Sequence, residues 1–121
     1  MRQHPVPETP NPGDLARVSE VFKTLSEPIR VQLVLLLIQG ERSVAQLVEA
    51  LGQPQSTVSR HLGLLRSAEV VKTRREATHV YYRLSDAHVA QLVGQAFSHA
   101  QHERLGLPDH SVSDSLLGRT H

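Results

Sequence analysis

The sequence predicts a mainly α-helical fold with one small β-hairpin, built as a single domain. Three observations carry this reading. Apolar residues recur at spacings of three and four over most of the 121 residues. The spacing changes to two in one stretch alone, Val70 to Leu84. Residues that start and stop helices stand between the periodic stretches.

Met1 to Gly13 holds Pro5, Pro7, Pro10 and Pro12. Alternating prolines remove backbone donors and favour extended chain, so residues 1–13 are expected to form a flexible arm. From Asp14, the positions Leu15, Val18, Val21, Phe22 and Leu25 keep helical spacing. Ser26-Glu27-Pro28 ends this first helix and opens the second, with proline in its favoured first turn. The second, Pro28 to about Gln39, is apolar on most sides and is expected to be the central buried helix, closed by Gly40. Ser43 and Gln46 form a capping box that opens a third helix, Val44 to Leu51. Gly52-Gln53-Pro54 makes a turn, and a fourth helix runs from about Gln55 to Ala68 with Val58, Leu62 and Leu65 inward. Val70–Arg75 and His79–Leu84 are β-branched, aromatic and basic, and with Glu76-Ala77-Thr78 between them they read as a hairpin. Ser85 or Asp86 caps a fifth helix that continues to about Leu105, ended by Gly106 and Pro108. The organised domain is therefore residues 14–105, followed by a polar tail, 106–121.

Composition narrows the chemistry. With no cysteine, disulfides, thiolate metal sites and thiol catalysis are excluded. The aromatics are Phe22, Tyr81, Tyr82 and Phe97, so the core must be aliphatic and a base-stacking platform is poorly supported. The longest apolar run, Val31 to Ile38, is broken by Gln32 and falls far short of the ~20 residues of a membrane span. No leading segment joins a basic start to an apolar stretch and a cleavage site, so a cytoplasmic location is expected. The net charge of +1 is unevenly spread. Residues 56–83 hold six basic groups against two acidic ones, while the flanks on both sides carry an acidic excess. A local contact with a polyanion fits this pattern.

Two helices joined by a glycine-containing turn, the second polar and basic at its start, form a helix-turn-helix pattern. Gln55, Ser56, Thr57, Ser59, Arg60 and His61 occupy the opening turns of the second helix, where short polar side chains suit base edges in a major groove. Lys72, Arg74 and Arg75, with Arg83, are placed to press cations on flanking phosphates. Surface solvation alone would explain a basic run, but not a helix, turn, helix and basic hairpin in that order. Double-stranded operator DNA is the expected partner.

The chain resembles the ArsR/SmtB family of winged-helix metal-responsive repressors. The likeness is carried by Val21–Arg30, Ser43–Gly52, Gln55–Arg66, Val70–Arg75 and Val80–Leu84, and it spans about residues 15–105. It implies a winged helix-turn-helix that forms a homodimer through its first and last helices. Two departures stand out. The hairpin tip Glu76-Ala77-Thr78 lacks the glycine common in such wings, and Gly63 lies inside the fourth helix, where it costs about 1 kcal/mol against alanine.

Eight histidines are many for this length. On the last helix stand Asp86 and His88, then His99 and His102. At 100° per residue His88, His99 and His102 share one stripe, yet about 16 Å of helix separates His88 from His99. A metal–imidazole bond is only ~2.0–2.1 Å long, so one helix cannot bring both ends to one ion. An antiparallel second copy can, setting Asp86 and His88 of one chain beside His99 and His102 of the other in two equivalent sites. The positions 88, 92, 95, 99 and 102 advance by four and three, as a helix-pairing seam does. Asp86 must then sit at the cap, because on a regular helix it would diverge from His88. The resemblance points the same way, since zinc-sensing members carry these two motifs at this spacing, and it implies that His99 reaches a main-chain carbonyl near Glu69.

Three nitrogens and one carboxylate oxygen match a tetrahedral Zn(II) site. Ni(II) or Co(II) would recruit further donors, for which His4 and His110 are the candidates, with His121 beyond them. His61 and His79 read individually as exposed or capping residues. Val44 and Gln46 stand where the arsenic- and lead-responsive branch carries cysteines, which argues against thiophilic ions. The expected function is thus repression by an apo dimer and release of DNA on metal binding. Two rivals are a metal-insensitive winged helix and a zinc enzyme. The enzyme would need an open coordination position that four protein ligands close.

Overall fold

The computed structural model describes residues 8–106. The first helix, α1 (Pro12–Thr24), is capped by Asn11, whose Oδ1 accepts from the N–H groups of Gly13 at 2.7 Å and Asp14 at 3.2 Å. It therefore begins two residues before Asp14. Pro12, assigned to the arm by composition, sits at the first helical position, where its missing N–H leaves nothing unsatisfied. α2 (Pro28–Ile38) follows, and then a two-residue strand, β1 (Arg42–Ser43). The capping box opens α3 (Val44–Leu51) as expected: Ser43 Oγ accepts from Gln46 N–H, and Gln46 Oε1 from Ser43 N–H. Gly52 closes that helix in the left-handed region at φ +66°. After the turn come α4 (Gln55–Ser67), β2 (Val71–Glu76), β3 (His79–Leu84) and α5 (Ala87–Leu105).

The sheet is larger than a hairpin. Its order is β1-β3-β2, all antiparallel, with Arg42 opposite Tyr82 and Ser43 opposite Tyr81. A strand of two residues has no periodicity to read, which is why the sequence shows only β2 and β3. Glu76 pairs with His79, so the tip is the two residues Ala77-Thr78, with Ala77 at φ +56°. The chain thus places an alanine where a wing of this kind favours glycine.

The buried hydrophobic residues are all aliphatic. Leu33, Val34 and Leu37 of α2 meet Leu47 of α3, then Val58, Leu62 and Leu65 of α4, with Val70, Val71 and Val93 closing it. The amphipathic helices α1 and α5 are different. Thr24 is the one buried residue of α1 and Val93 of α5. Phe22 and Leu105 are 56% and 52% exposed, and Leu15, Val18, Leu92 and Phe97 are exposed with them. Among the described residues nothing covers these stripes.

Gly63 sits mid-helix with open space where a side-chain Cβ would project. Gly63→Ala should raise stability by about 1 kcal/mol through lower unfolded-state entropy, seen as a higher urea midpoint at unchanged slope. A lower midpoint would show that α4 is not a regular helix there.

Candidate nucleic-acid and metal interfaces

The recognition surface is built from the α3–turn–α4 unit. Pro54 precedes α4 in extended backbone and no side chain caps that helix, so its first N–H groups face outward without a side-chain partner. Helix starts of this kind favour phosphate oxygens. Gln55, Ser56, Ser59 and Arg60 are exposed on the opening turns, and Thr57 is half-buried.

His61 is a correction. It is buried at 6% exposure, on the same inner stripe as Val58, Leu62 and Leu65, and is neither a base reader nor an exposed histidine. The spacing 58, 61, 62, 65 is itself the signature of a core face, which the polar identity of histidine masked. Arg30 Nε donates to His61 Nδ1 at 3.1 Å, and Arg30 Nη1 donates to the Thr24 carbonyl at 2.9 Å. One guanidinium thus ties the end of α1 and the start of α2 to the recognition helix. An accepting Nδ1 places the imidazole proton on Nε2, so Arg60 Nη2, 3.2 Å from Nε2, meets a donor and not an acceptor. Arg60 is left to turn outward. Burial holds the His61 pKa below the ordinary 6.5, and the charges of Arg60 and Arg30 add to this, against Glu27.

The wing contributes fewer cations than its sequence suggests. Arg74 Nη2 pairs with Glu41 Oε1 at 2.7 Å, Arg74 Nη1 with Glu76 Oε1 at 2.9 Å, and its Cζ lies 4.7 Å over the Tyr81 ring. The hydrogen bond from Arg74 lowers the Glu41 pKa, and hydrogen bonds to Glu41 and Glu76 raise that of Arg74. Arg74, itself exposed, thus links the wing to the segment before β1. Lys72, Arg75 and Arg83 are exposed. Lys72 pairs directly across from Arg83, a like-charge juxtaposition that an approaching anion relieves.

Asp86 is the N-cap of α5, as the spacing required. Its Oδ1 accepts from Val89 N–H at 3.1 Å, leaving its second oxygen for other duty. His88 Nδ1 lies 3.8 Å from Asp86 Oδ1, so the two side chains converge. Both line a cleft of about 490 Å³ with Arg17 and Glu20 of α1 and with Glu69 just past α4. His99 and His102 stand one turn apart at the far end of α5, His99 exposed and His102 half-buried. Among the described residues, no three acidic or imidazole side chains of one chain come together as a metal site. His4, His110, His121 and Pro108 lie outside the described residues. The carbonyl of Glu69, in the segment where His99 was expected to find a main-chain acceptor, accepts the hydroxyl of Ser85 at 2.7 Å.

Residues 27–73 match the profile of the bacterial regulatory protein arsR family. The match extends well beyond this segment in individual relatives. The HTH-type transcriptional regulator KmtR of Mycobacterium tuberculosis is 44% identical over 102 residues, covering 84% of this chain and 78% of that protein. The chain belongs to the ArsR family of bacterial regulatory proteins. Another ArsR relative, a cadmium resistance transcriptional regulatory protein CadC homolog of Staphylococcus aureus, is 41% identical over 74% of this chain and 72% of its own length. Among solved structures, the homodimeric winged helix-turn-helix DNA-binding domain of a possible ArsR-family regulator from Mycobacterium bovis superposes with a TM-score of 0.73. It is 34% identical, covering 82% of this chain and 92% of that one. The ArsR fold observed here is the same winged helix-turn-helix, with α3 and α4 as its helices and β2–β3 as its wing.

A depressed His61 pKa has a defined consequence. The unfolded chain takes up its proton first as pH falls, so the stability tied to neutral His61 is complete above pH 6.5 and declines below it. The urea midpoint should fall as the pH drops below about 6.5, and His61→Gln should flatten that slope. An unchanged slope in the variant would assign it to other groups.

Proposed function

We propose that this ArsR-family regulator is a homodimeric, cytoplasmic, metal-responsive repressor. The observation that carries the reading is the division of one ligand set between the two ends of α5. Asp86 and His88 converge at its start and His99 and His102 at its end, and a rigid helix keeps the pairs apart. Two antiparallel copies would join them twice over, and the uncovered apolar stripes of α1 and α5 supply the surface on which copies pair. The relatives support the pairing and the response: one solved neighbour is homodimeric, and one relative is named for cadmium resistance.

Asp86, His88, His99 and His102 fit Zn(II), whose tetrahedral shell they would complete. When bound, the ion supplies a fixed link between the two copies. Gln55, Ser56, Thr57, Ser59 and Arg60 read the operator's base edges, while Lys72 and Arg75 contact phosphate. The metal-free dimer holds operator DNA, and the ion favours a dimer shape whose recognition helices no longer match successive major grooves. A differential affinity of about 1–3 kcal/mol is sufficient for such a response. No group in the chain is assigned a catalytic role.

Operator affinity measured with and without zinc tests the reading. Zinc should weaken binding by the wild type about five- to 150-fold and leave His99→Ala nearly unaffected. Equal sensitivity in both would reject it. X-ray absorption on zinc- and nickel-loaded protein decides the metal, four donors in the tighter complex favouring zinc and six favouring Ni(II) or Co(II) with donors from outside the domain.

The wing makes a separate prediction. Lys72→Ala and Arg75→Ala should each reduce the slope of log affinity against log salt by about one, whereas Arg74→Ala changes it by less than half as much. An equal loss from Arg74→Ala would mean that the Glu41 pair opens on DNA.

A further inference from the structure

The helices α4 and α5 have no broad contact by which one could inform the other. α5 packs chiefly on α2 and β3. Ser85 ties the turn after α4 to the start of α5 by two hydrogen bonds. Ser85 Oγ donates to the Glu69 carbonyl at 2.7 Å, and Ser85 N–H donates to the Val70 carbonyl at 3.0 Å.

The segment it grips is well defined. Glu69 N–H donates to the Arg66 carbonyl and Val70 N–H to the Leu65 carbonyl, the paired bonds of a Schellman closure at the end of α4. Glu69 stands at the left-handed position of that closure, φ +61°, where glycine is the usual occupant. Val70, next in line, is fully buried. The end of the recognition helix is therefore a fixed turn held through two carbonyls, and both carbonyls are held by Ser85. The following residue is Asp86, which caps α5 and contributes to the proposed metal set. A shift in Asp86 is passed to the α4 terminus across a single peptide bond and two hydrogen bonds.

We propose that Ser85 is the positioning residue that couples occupancy of the Asp86–His88 end of α5 to the orientation of the recognition helix. The proposal rests on the metal-responsive reading above. It assigns to a hydroxyl within one chain the transmission expected of His99 at a carbonyl near Glu69.

The test compares wild type, Ser85→Ala and Ser85→Thr for zinc affinity, metal-free operator affinity and the ratio of operator affinities without and with zinc, with nickel run in parallel. Ser85→Ala should keep the first two within about threefold of wild type while the ratio falls toward one, and Ser85→Thr, which keeps the hydroxyl, should restore the ratio. Glu69→Gly relaxes the backbone but keeps the acceptor, so it should retain the wild-type ratio and guards against a loss caused by a weakened helix end. A wild-type ratio in Ser85→Ala overturns the role of Ser85 and leaves the metal response standing. A tenfold or larger loss of zinc or metal-free operator affinity in that variant makes its role structural and also overturns the proposal. No metal effect in the wild type would instead overturn the reading beneath it.

Discussion

The governing constraint is the straightness of α5. Nineteen helical residues set Asp86 and His88 at one end and His99 and His102 at the other. At 1.5 Å per residue the two pairs are separated by about 16 Å, many times a coordination bond. The four proposed ligands thus stand as one pair at each end of α5, and this helix alone cannot bring them to a single ion. The exposed apolar residues of α1 and α5 have the same origin. A helix that pairs with its copy, as proposed, would keep its stripe for that copy, which accounts for Leu92 and Phe97 being exposed although Val93 between them is buried.

The recognition helix is seated by two different kinds of force. Val58, Leu62 and Leu65 anchor it on α2 and α3 through aliphatic packing, which is strong but tolerant of direction. Arg30 adds direction, because a guanidinium bonded to both the Thr24 carbonyl and His61 Nδ1 fixes α4 against the end of α1. The wing follows the same division. Arg74 between Glu41, Glu76 and Tyr81 holds the wing's attitude, and the cations at 72, 75 and 83 are left to an anion.

What the sequence revealed and what it hid divides along the range of each interaction. The capping box at Ser43, the left-handed close at Gly52, the cap at Asp86 and the end at Gly106 depend on residues within one turn, and each is where the sequence places it. The place of Asp86 at the cap and of His88, His99 and His102 along α5 was legible because a single helix carries them. β1 was not, since two residues become a strand only by pairing with β3. Neither were Arg30–His61 and Arg74–Glu41, which join residues 31 and 33 positions apart. The first turn of α1 was misjudged because proline serves an extended arm and a helix start equally well. The deciding signal was Asn11 immediately before it.

Energetic scale argues that a link as small as Ser85 can suffice. An allosteric response of ordinary size is about 1–3 kcal/mol. A single internal hydrogen bond contributes about 0.5–1.5 kcal/mol net, so two bonds to adjacent carbonyls already span that range. Rearranging the core would be far more expensive, because Leu33, Leu62 and Leu65 are fully buried and any cavity opened among them costs several kcal/mol. A signal routed through the packed interior of α2 would have to overcome that resistance. One routed through the main chain of exposed Glu69 and its bond from Ser85 acts at the edge of that core, where buried Val70 anchors the turn, and opens no cavity among those leucines. The fold therefore separates what must stay rigid from what must respond, and the boundary between them falls at the closing turn of α4.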